Sequence, residues 1–350
     1  MTSEAPGEIS GVPPPRADIR ERRSSTCSAR LRPERSSTPC SFRTVTQAAQ
    51  VNLDTGHESS ADNRAGQEAQ THDLGFGSDP AQLQEHPDRP SPIVLTDPVR
   101  AGHTGTHGPA ITAEQWPRGP LTGLPMAHAL TIRVPEEYRS RGPEFVGVSF
   151  FQGEGQSAEQ DADVAAVLAG DALTPEQAAD PFLVQLATTV GREHPRLRRM
   201  EDIIGGQFAL LWLTEEELTG TPAAPPEDVR LPERQATDEG PNAWDHTTES
   251  TGIWTGQRES DPNAGIAPEN AWDDTGSGYR QPEYGQEDEW SHWCDAHEAR
   301  FHFGGTAFPI QAVPEGLGPR YLEIEEFGPL NFGRGNAQID LENDVFDWAC

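Results

Sequence analysis

Residues 130–151, LTIRVPEEYRSRGPEFVGVSFF, decide the fold class. In LTIRV (130–134) apolar and polar residues alternate, and this period of two is typical of a β-strand with one buried face. EFVGVSFF (144–151) is a nearly continuous apolar run, which predicts a buried strand. Pro135 and the segment RSRGP lie between the two and predict a loop.

The same strand patterns recur further along the chain. QFALLWL (207–213) is an unbroken apolar run and predicts another core strand. YLEIEEF (321–327) alternates, LNFGRGNAQIDL (330–341) places a glycine bend between two strand-like segments, and DVFDWAC (344–350) closes the chain on apolar residues. We therefore predict a mainly β fold, of the α+β class with few helices, and a docked C-terminus.

Helical patterns are few. Residues 163–169 form a short apolar helical run, and TPEQ (174–177) has the form of a capping box with proline at the first helical position. The Asp180-Pro181 pair begins a second helix, which Gly191 is placed to end.

The 350-residue chain has a formal net charge of −31, and all of its 26 basic residues are arginine. Nucleic acids and anionic membranes are polyanions, so this charge disfavours both as main partners. It is compatible with a basic protein partner. Solubility alone is the simpler explanation of this charge.

Composition divides the chain into three regions. Residues 1–50 carry eight arginines and five acids, and residues 51–92 are polar with almost no apolar periodicity, so we predict a disordered tail over 1–92. The folded domain is predicted over 93–350. Within it, residues 225–300 hold 18 acids against five arginines, together with five of the eight tryptophans, which indicates an acidic insertion whose rings pack on the body.

The cysteines and the absence of targeting patterns define the expected compartment. Cys27, Cys40, Cys294 and Cys350 are too dispersed for a disulfide framework. The sequence contains no run of about 18 apolar residues and no N-terminal signal pattern. We therefore expect a cytoplasmic protein that crosses no membrane, and the sequence does not predict its oligomeric state.

The acidic region contains one short repeat. Asn-Ala-Trp-Asp occurs in PNAWDHTTESTG (241–252) and in PENAWDDTGSGY (268–279). Two copies are too few for a solenoid, so we predict two similar turns in which Trp244 and Trp272 anchor inward. Because tryptophan is a frequent hot-spot residue, both are also candidate partner contacts. A carboxylate-lined calcium loop is the alternative, although the EF-hand spacing is absent.

HFGGTAFPIQ (302–311) is the densest group of candidate binding residues. Its five candidate ligand or partner contacts are His302, Gly304, Gly305, Pro309 and Gln311. One interpretation is a small pocket rim made by the histidine, the glycine amides and the glutamine. The other is a bend in which the histidine and the glutamine satisfy buried backbone groups, as buried polar side chains usually do.

Three side chains shortly before this segment could ligate zinc: His292, Cys294 and His297. Their spacing matches no standard zinc motif, and the alternative is a surface segment with scattered histidines. No nucleophile-elbow, phosphate-loop or metalloprotease motif occurs in the sequence. The sequence therefore predicts no catalytic residue and no cofactor, and zinc at these three side chains is the less favoured alternative.

Three segments in order resemble the YwqG-like family over residues 93–350. HFGGTAFPIQ resembles its His-Gly-Gly-Pro-Gln signature, and LNFGRGNAQIDLENDVFDWAC (330–350) resembles its closing turn, strand and Trp-x-Cys end. WPRGPLTGLPMAHALTIRV (116–134) with the following GVSFF resembles its Trp-Pro and Phe-Phe segment. The turn aspartate of the family is Arg334 here.

The resemblance implies an antiparallel β roll with an internal duplication and no established reaction. Some members resemble immunity or partner-binding proteins, so the resemblance suggests a non-enzymatic protein-binding role, such as neutralising a toxin. The alternative hypothesis is a small-ligand- or metal-dependent enzyme that uses the region from His292 to Gln311.

Overall fold

The computed structural model describes residues 70–234, 240–273, 276–282 and 301–350, which belong to one compact unit. Within these ranges the chain forms eleven strands and three α-helices, joined by short 3-10 turns. The strands are β1 Thr71–Phe76, β2 Val99–Thr104, β3 Ala127–Arg133, β4 Gly147–Gln152, β5 Leu197–Glu201, β6 Gln207–Leu213, β7 Gly252–Arg258, β8 His302–Phe303, β9 Tyr321–Glu325, β10 Asn336–Asp340 and β11 Phe346–Ala349. The helices are α1 Ala162–Leu168, α2 Pro181–Ala187 and α3 Glu215–Thr219.

All eleven strands lie in a single sheet in the order β11-β10-β9-β8-β1-β7-β2-β3-β4-β6-β5. Every pairing between neighbours is antiparallel. The prediction of a mainly β fold with few helices is confirmed. The internal duplication that the resemblance implies stays a prediction.

Side chains close the sheet where its two end strands meet. The ring of Phe346 on β11 lies 4.7 Å from that of Phe208 on β6. Arg198 on β5 lies 3.1 Å from Asp344, which precedes β11. Among the described residues no backbone hydrogen bond joins β5 to β11, so the sheet is nearly closed rather than continuous.

The inner and outer faces of the sheet explain the unbroken apolar run of β6. Phe208, Leu210 and Trp212 belong to the main core inside the sheet, whereas Ala209 and Leu211 join an outer cluster that includes Trp116. Successive residues of a strand point to opposite faces of the sheet. When both faces are covered, neither set of residues meets water, and the whole strand can be apolar.

Two predicted boundaries are wrong. β1, at 71–76, lies between β8 and β7, so the folded region begins well before residue 93. β7, at 252–258, lies between β1 and β2, so the acidic stretch is not an insertion but contributes a central strand. Residues 1–69 lie outside the described residues, and the predicted tail is untested there.

The predicted helices form as α1 and α2, but α2 ends at Ala187, so the prediction that Gly191 ends it is wrong. The Asp161 carboxylate accepts hydrogen bonds from the first turn of α1, and Asp180 does the same for α2. The Thr174 box also forms, but it opens only a 3-10 turn. No helix in the described ranges is long and apolar enough to span a membrane, since α1 and α2 have seven residues each.

A buried polar chain runs along the outer face of β3 and β4. The imidazole of His128, 2% exposed, donates from Nδ1 to the Gly105 carbonyl and accepts at Nε2 from Thr131 Oγ1, 2.8 Å away. Thr131 Oγ1 lies 2.8 Å from Ser149 Oγ. Burial lowers the pKa of His128 to about 3, so the imidazole in this hydrogen-bonded series is neutral.

His128→Asn should flatten the acid dependence of stability. An unfolded histidine has a pKa of about 6.5, so between that value and about 3 only the unfolded chain binds this proton. Stability is therefore lost as the pH falls through this window. When the pH falls from 7 to 4.5, His128 should lower the unfolding free energy of the wild-type protein by roughly 2–3 kcal/mol. Urea unfolding of the variant at the two pH values should not show this decrease.

His86 and His103 serve as an internal reference for this comparison. Burial also lowers their pKa values, and both remain in the variant. An acid dependence identical in the two proteins would show that His128 is not the group responsible.

Candidate functional site

His302 lies on β8 and is fully buried, not at the rim of a pocket. Its Nδ1 donates to the Gly304 carbonyl at 2.8 Å. Its Nε2 lies 3.7 Å from Oε1 of Glu323, a side chain that is itself 1% exposed, and makes no hydrogen bond with the described residues. The ring packs edge-on against Tyr321.

The glycine pair permits close packing of backbone against side chains. Gly304 and Gly305 have φ values of +57° and +78°. A Cβ on Gly304 would lie 2.0 Å from Tyr138 Oη, and one on Gly305 would lie 2.3 Å from Thr71 Oγ1. The Gly304 amide already donates to the Tyr321 carbonyl, so it is not free for a ligand.

A buried polar network that the sequence analysis missed adjoins the glycine pair. The Asp261 carboxylate accepts from Arg258 Nη1 at 2.9 Å, from the Asn263 amide at 2.9 Å and from Thr306 Oγ1 at 2.8 Å. Burial alone would raise the pKa of Asp261, but these hydrogen bonds and the Arg258 charge lower it. An acid in an Asp-Pro-Asn segment among 57 acids gave no sequence signal for this role.

The structure does not bring Gln311 together with His302. Pro309 is half-buried, and Gln311 is exposed and donates from Nε2 to the carbonyl of Cys350. The pocket-rim interpretation therefore does not fit the described residues. The interpretation as a bend fits His302, and it fits Gln311 only in part, because its acceptor belongs to the exposed last residue.

The two tryptophans of the repeat have opposite environments. Trp244 is half-buried: its Nε1 donates to the Pro226 carbonyl at 2.7 Å, and its ring packs edge-on against Phe182. Arg230 stacks 4.8 Å above the same ring. Trp272 is 70% exposed, so the prediction that both rings anchor inward is wrong for the second copy.

The asparagines explain this difference. Asn242 Oδ1 accepts from the amides of Trp244 and Asp245, so this turn is bonded to itself. Asn270 instead pairs with the backbone of Val313, donating to its carbonyl and accepting from its amide at 2.9 Å. The second turn is therefore fastened to a neighbouring loop through Asn270, without its tryptophan.

His292, Cys294 and His297 lie outside the described residues, as does any metal site that they could form. Among the residues that the structure describes, no group of three or more His, Cys, Asp or Glu side chains could hold a metal ion.

A cleft of about 490 Å³ lies where β2 and β3 diverge, near the ends of β1 and β7. His72 Nε2 lies 2.8 Å from Glu137 Oε1 beside it. Burial alone would raise the pKa of Glu137, but the hydrogen bond and charge of His72 together with backbone hydrogen bonds lower it. Arg133 is paired with Glu215, and Arg139 is tethered through Nε to the Val134 carbonyl. The lining mixes both signs of charge, and the contacts chiefly hold strand ends together.

No protein-family model, no curated protein and no solved structure matches this chain.

Gly305→Ala should destabilise the protein by about 2 kcal/mol or more, because it adds a steric clash to a backbone conformation that disfavours a side chain. Gly191→Ala is the matched control, since Gly191 has a similar φ of +72° with open space around it. It should cost about 1 kcal/mol. Urea unfolding of both variants measures the difference, and equal losses would show that the close packing at Gly305 contributes nothing.

Proposed function

We propose that this protein is a non-enzymatic, cytoplasmic binding protein whose ligand is a basic protein, in the manner of a neutralising or immunity factor. We also propose that the chain is related to the YwqG-like family. The observation that carries it is the side chain of Trp272, which is 70% exposed although the turn that bears it is fastened to Val313.

An exposed tryptophan on a fastened turn has the properties of an interface anchor. It offers a large apolar surface, and its turn need not be ordered at the moment of binding. The same Asn-Ala-Trp-Asp sequence buries Trp244 at least in part, so exposure is not a property of the motif. The exposure of Trp272 goes with the hydrogen bonds of Asn270, whose side chain pairs with the backbone of Val313.

The charge supports a basic partner. The chain carries 57 acids and 26 arginines, and Asp273 beside Trp272 is exposed. Carboxylates around an apolar anchor accelerate the encounter with a positively charged surface and disfavour acidic competitors.

The geometry gives less support to an enzyme that uses the region up to Gln311. The described part of that region consists of a buried histidine, glycines packed against side chains and a glutamine bound to the C-terminus. A catalytic group has to reach its substrate, and His302 is closed to solvent.

Trp272→Ala should weaken binding of the partner by tenfold or more without changing the melting temperature. Trp244→Ala is the matched control: it should lower the unfolding free energy by roughly 2–4 kcal/mol, because it removes a packed and hydrogen-bonded ring. The partner is isolated by pull-down from native lysate at physiological salt, and its Kd is measured by calorimetry with each variant.

The salt dependence of the same Kd tests the charge argument. Binding should weaken as sodium chloride rises, since screening shortens the range of the carboxylate field. If the wild-type chain captures no stoichiometric protein, or if Trp272→Ala binds as tightly as wild type, the proposed function is wrong as stated.

A further inference from the structure

The turn between β5 and β6 presents two neighbouring isoleucines to solvent. Ile203 is 86% exposed and Ile204 is 45% exposed. A single exposed aliphatic residue on a surface is ordinary, but two neighbours at the tip of one hairpin form an exposed apolar patch.

This turn is held in place by the carboxylate of Asp202. Its Oδ1 accepts from the Ile204 amide at 2.9 Å and from the Gly206 amide at 2.8 Å. Its Oδ2 accepts from Trp348 Nε1 at 2.5 Å, across the line where the sheet closes. The isoleucines therefore project from a turn that is fixed on two sides, and their placement costs little additional order on binding.

The immediate surroundings of the turn carry negative charge without a paired cation. Glu201 is exposed and Asp347 is half-buried, and no basic side chain of the described residues lies within ion-pair distance of either. Burial and then the nearby Asp202 raise the pKa of Asp347, as expected for a carboxylate with an acidic neighbour. The arginines of β5 are engaged elsewhere, Arg198 with Asp344 and Arg199 with Glu193.

We propose that Ile203 and Ile204 form a hydrophobic plug that enters an apolar pocket on a basic protein partner, while Glu201 and Asp347 face arginine or lysine side chains around that pocket. This inference rests on the proposed protein-binding function and adds a second contact to the one at Trp272. The arrangement of an apolar centre within a charged rim is that of a binding hot spot.

The negative charge beside the isoleucines favours a basic protein over two other possible partners, a membrane and a second copy of the chain. An anionic membrane surface would be repelled by the carboxylates beside the isoleucines. A second copy of the chain would bring the same uncompensated acids against themselves. A basic protein satisfies both the apolar tip and its rim.

The experiment uses the full chain with a photo-activated cross-linking residue in place of Ile203, and in a second protein in place of Val94. Val94 is 96% exposed and lies on a different loop, so it is the matched control for an exposed aliphatic residue. After irradiation in native lysate, the cross-linked peptides are mapped by mass spectrometry. We expect an adduct from position 203 and none from position 94, with arginine or lysine flanking the attachment point.

The purified partner is then titrated against the double variant Ile203→Ser/Ile204→Ser, Val94→Ser and Asp347→Asn. The double variant should raise Kd by tenfold or more and Asp347→Asn by severalfold, whereas Val94→Ser should leave Kd within twofold. The melting temperatures of the isoleucine and valine variants should equal that of wild type, because the replaced side chains are exposed.

The outcomes separate this inference from the proposed function. If Trp272→Ala abolishes binding and the isoleucine variant does not change it, the plug is wrong and the binding function stands. If no partner is captured at all, both are wrong. If the wild-type chain self-associates in sedimentation and the isoleucine variant does not, the partner is a second copy of the chain. If the wild-type chain co-sediments with phosphatidylglycerol vesicles and the variant does not, the partner is a membrane.

Discussion

Arg258 is the side chain on which the middle of the sheet depends. Its buried guanidinium donates from Nε to Asp73 of β1 at 2.8 Å and from Nη1 to Asp261 at 2.9 Å. Burial alone would lower the pKa of Arg258, and the two carboxylates raise it. A buried ion pair adds little net stability, but removing one partner strands a charge at a cost of about 3–5 kcal/mol. Through Asp261 and Thr306 the same group also fixes the corner after β8.

Two of the strands that the sequence predicted from unbroken apolar runs are buried along their whole length. QFALLWL and EFVGVSFF are covered by apolar side chains on both faces or nearly so, and composition alone identifies them. THDLGF and GIWTGQR are also central, yet they carry Asp73, Arg258 and three glycines. Their faces are covered by ion pairs and by neighbouring side chains that pack directly against glycine backbone. A Cβ on Gly75, for example, would lie 3.1 Å from the Leu83 side chain. Such strands have no apolar signature, so composition placed both outside the core.

The candidate site shows a similar division between local and tertiary information. The positive φ of Gly304 and Gly305 and the turn of Asn242 follow from local chemistry, and the sequence indicated them. The burial of His302 depends on β9 and on Tyr321, and the exposure of Trp272 depends on Val313, far along the chain. Two identical tetrapeptides with opposite outcomes show that the long-range partner of the asparagine decides where the tryptophan lies.

The C-terminal strand gives the exposed apolar residues a rigid frame. Trp348 of β11 bonds to Asp202 at the base of the isoleucine turn, and the carbonyl of Cys350 accepts from Gln311, beside the 57% exposed Ile310. The strand and the residue that follows it thus contact both exposed corners. In a mobile loop these side chains would lose conformational entropy on binding, whereas on this frame most of that loss has occurred during folding. Solubility alone accounts for acids on a surface, but it gives no reason to fix isoleucines among them, whereas the proposed recognition of a basic surface would.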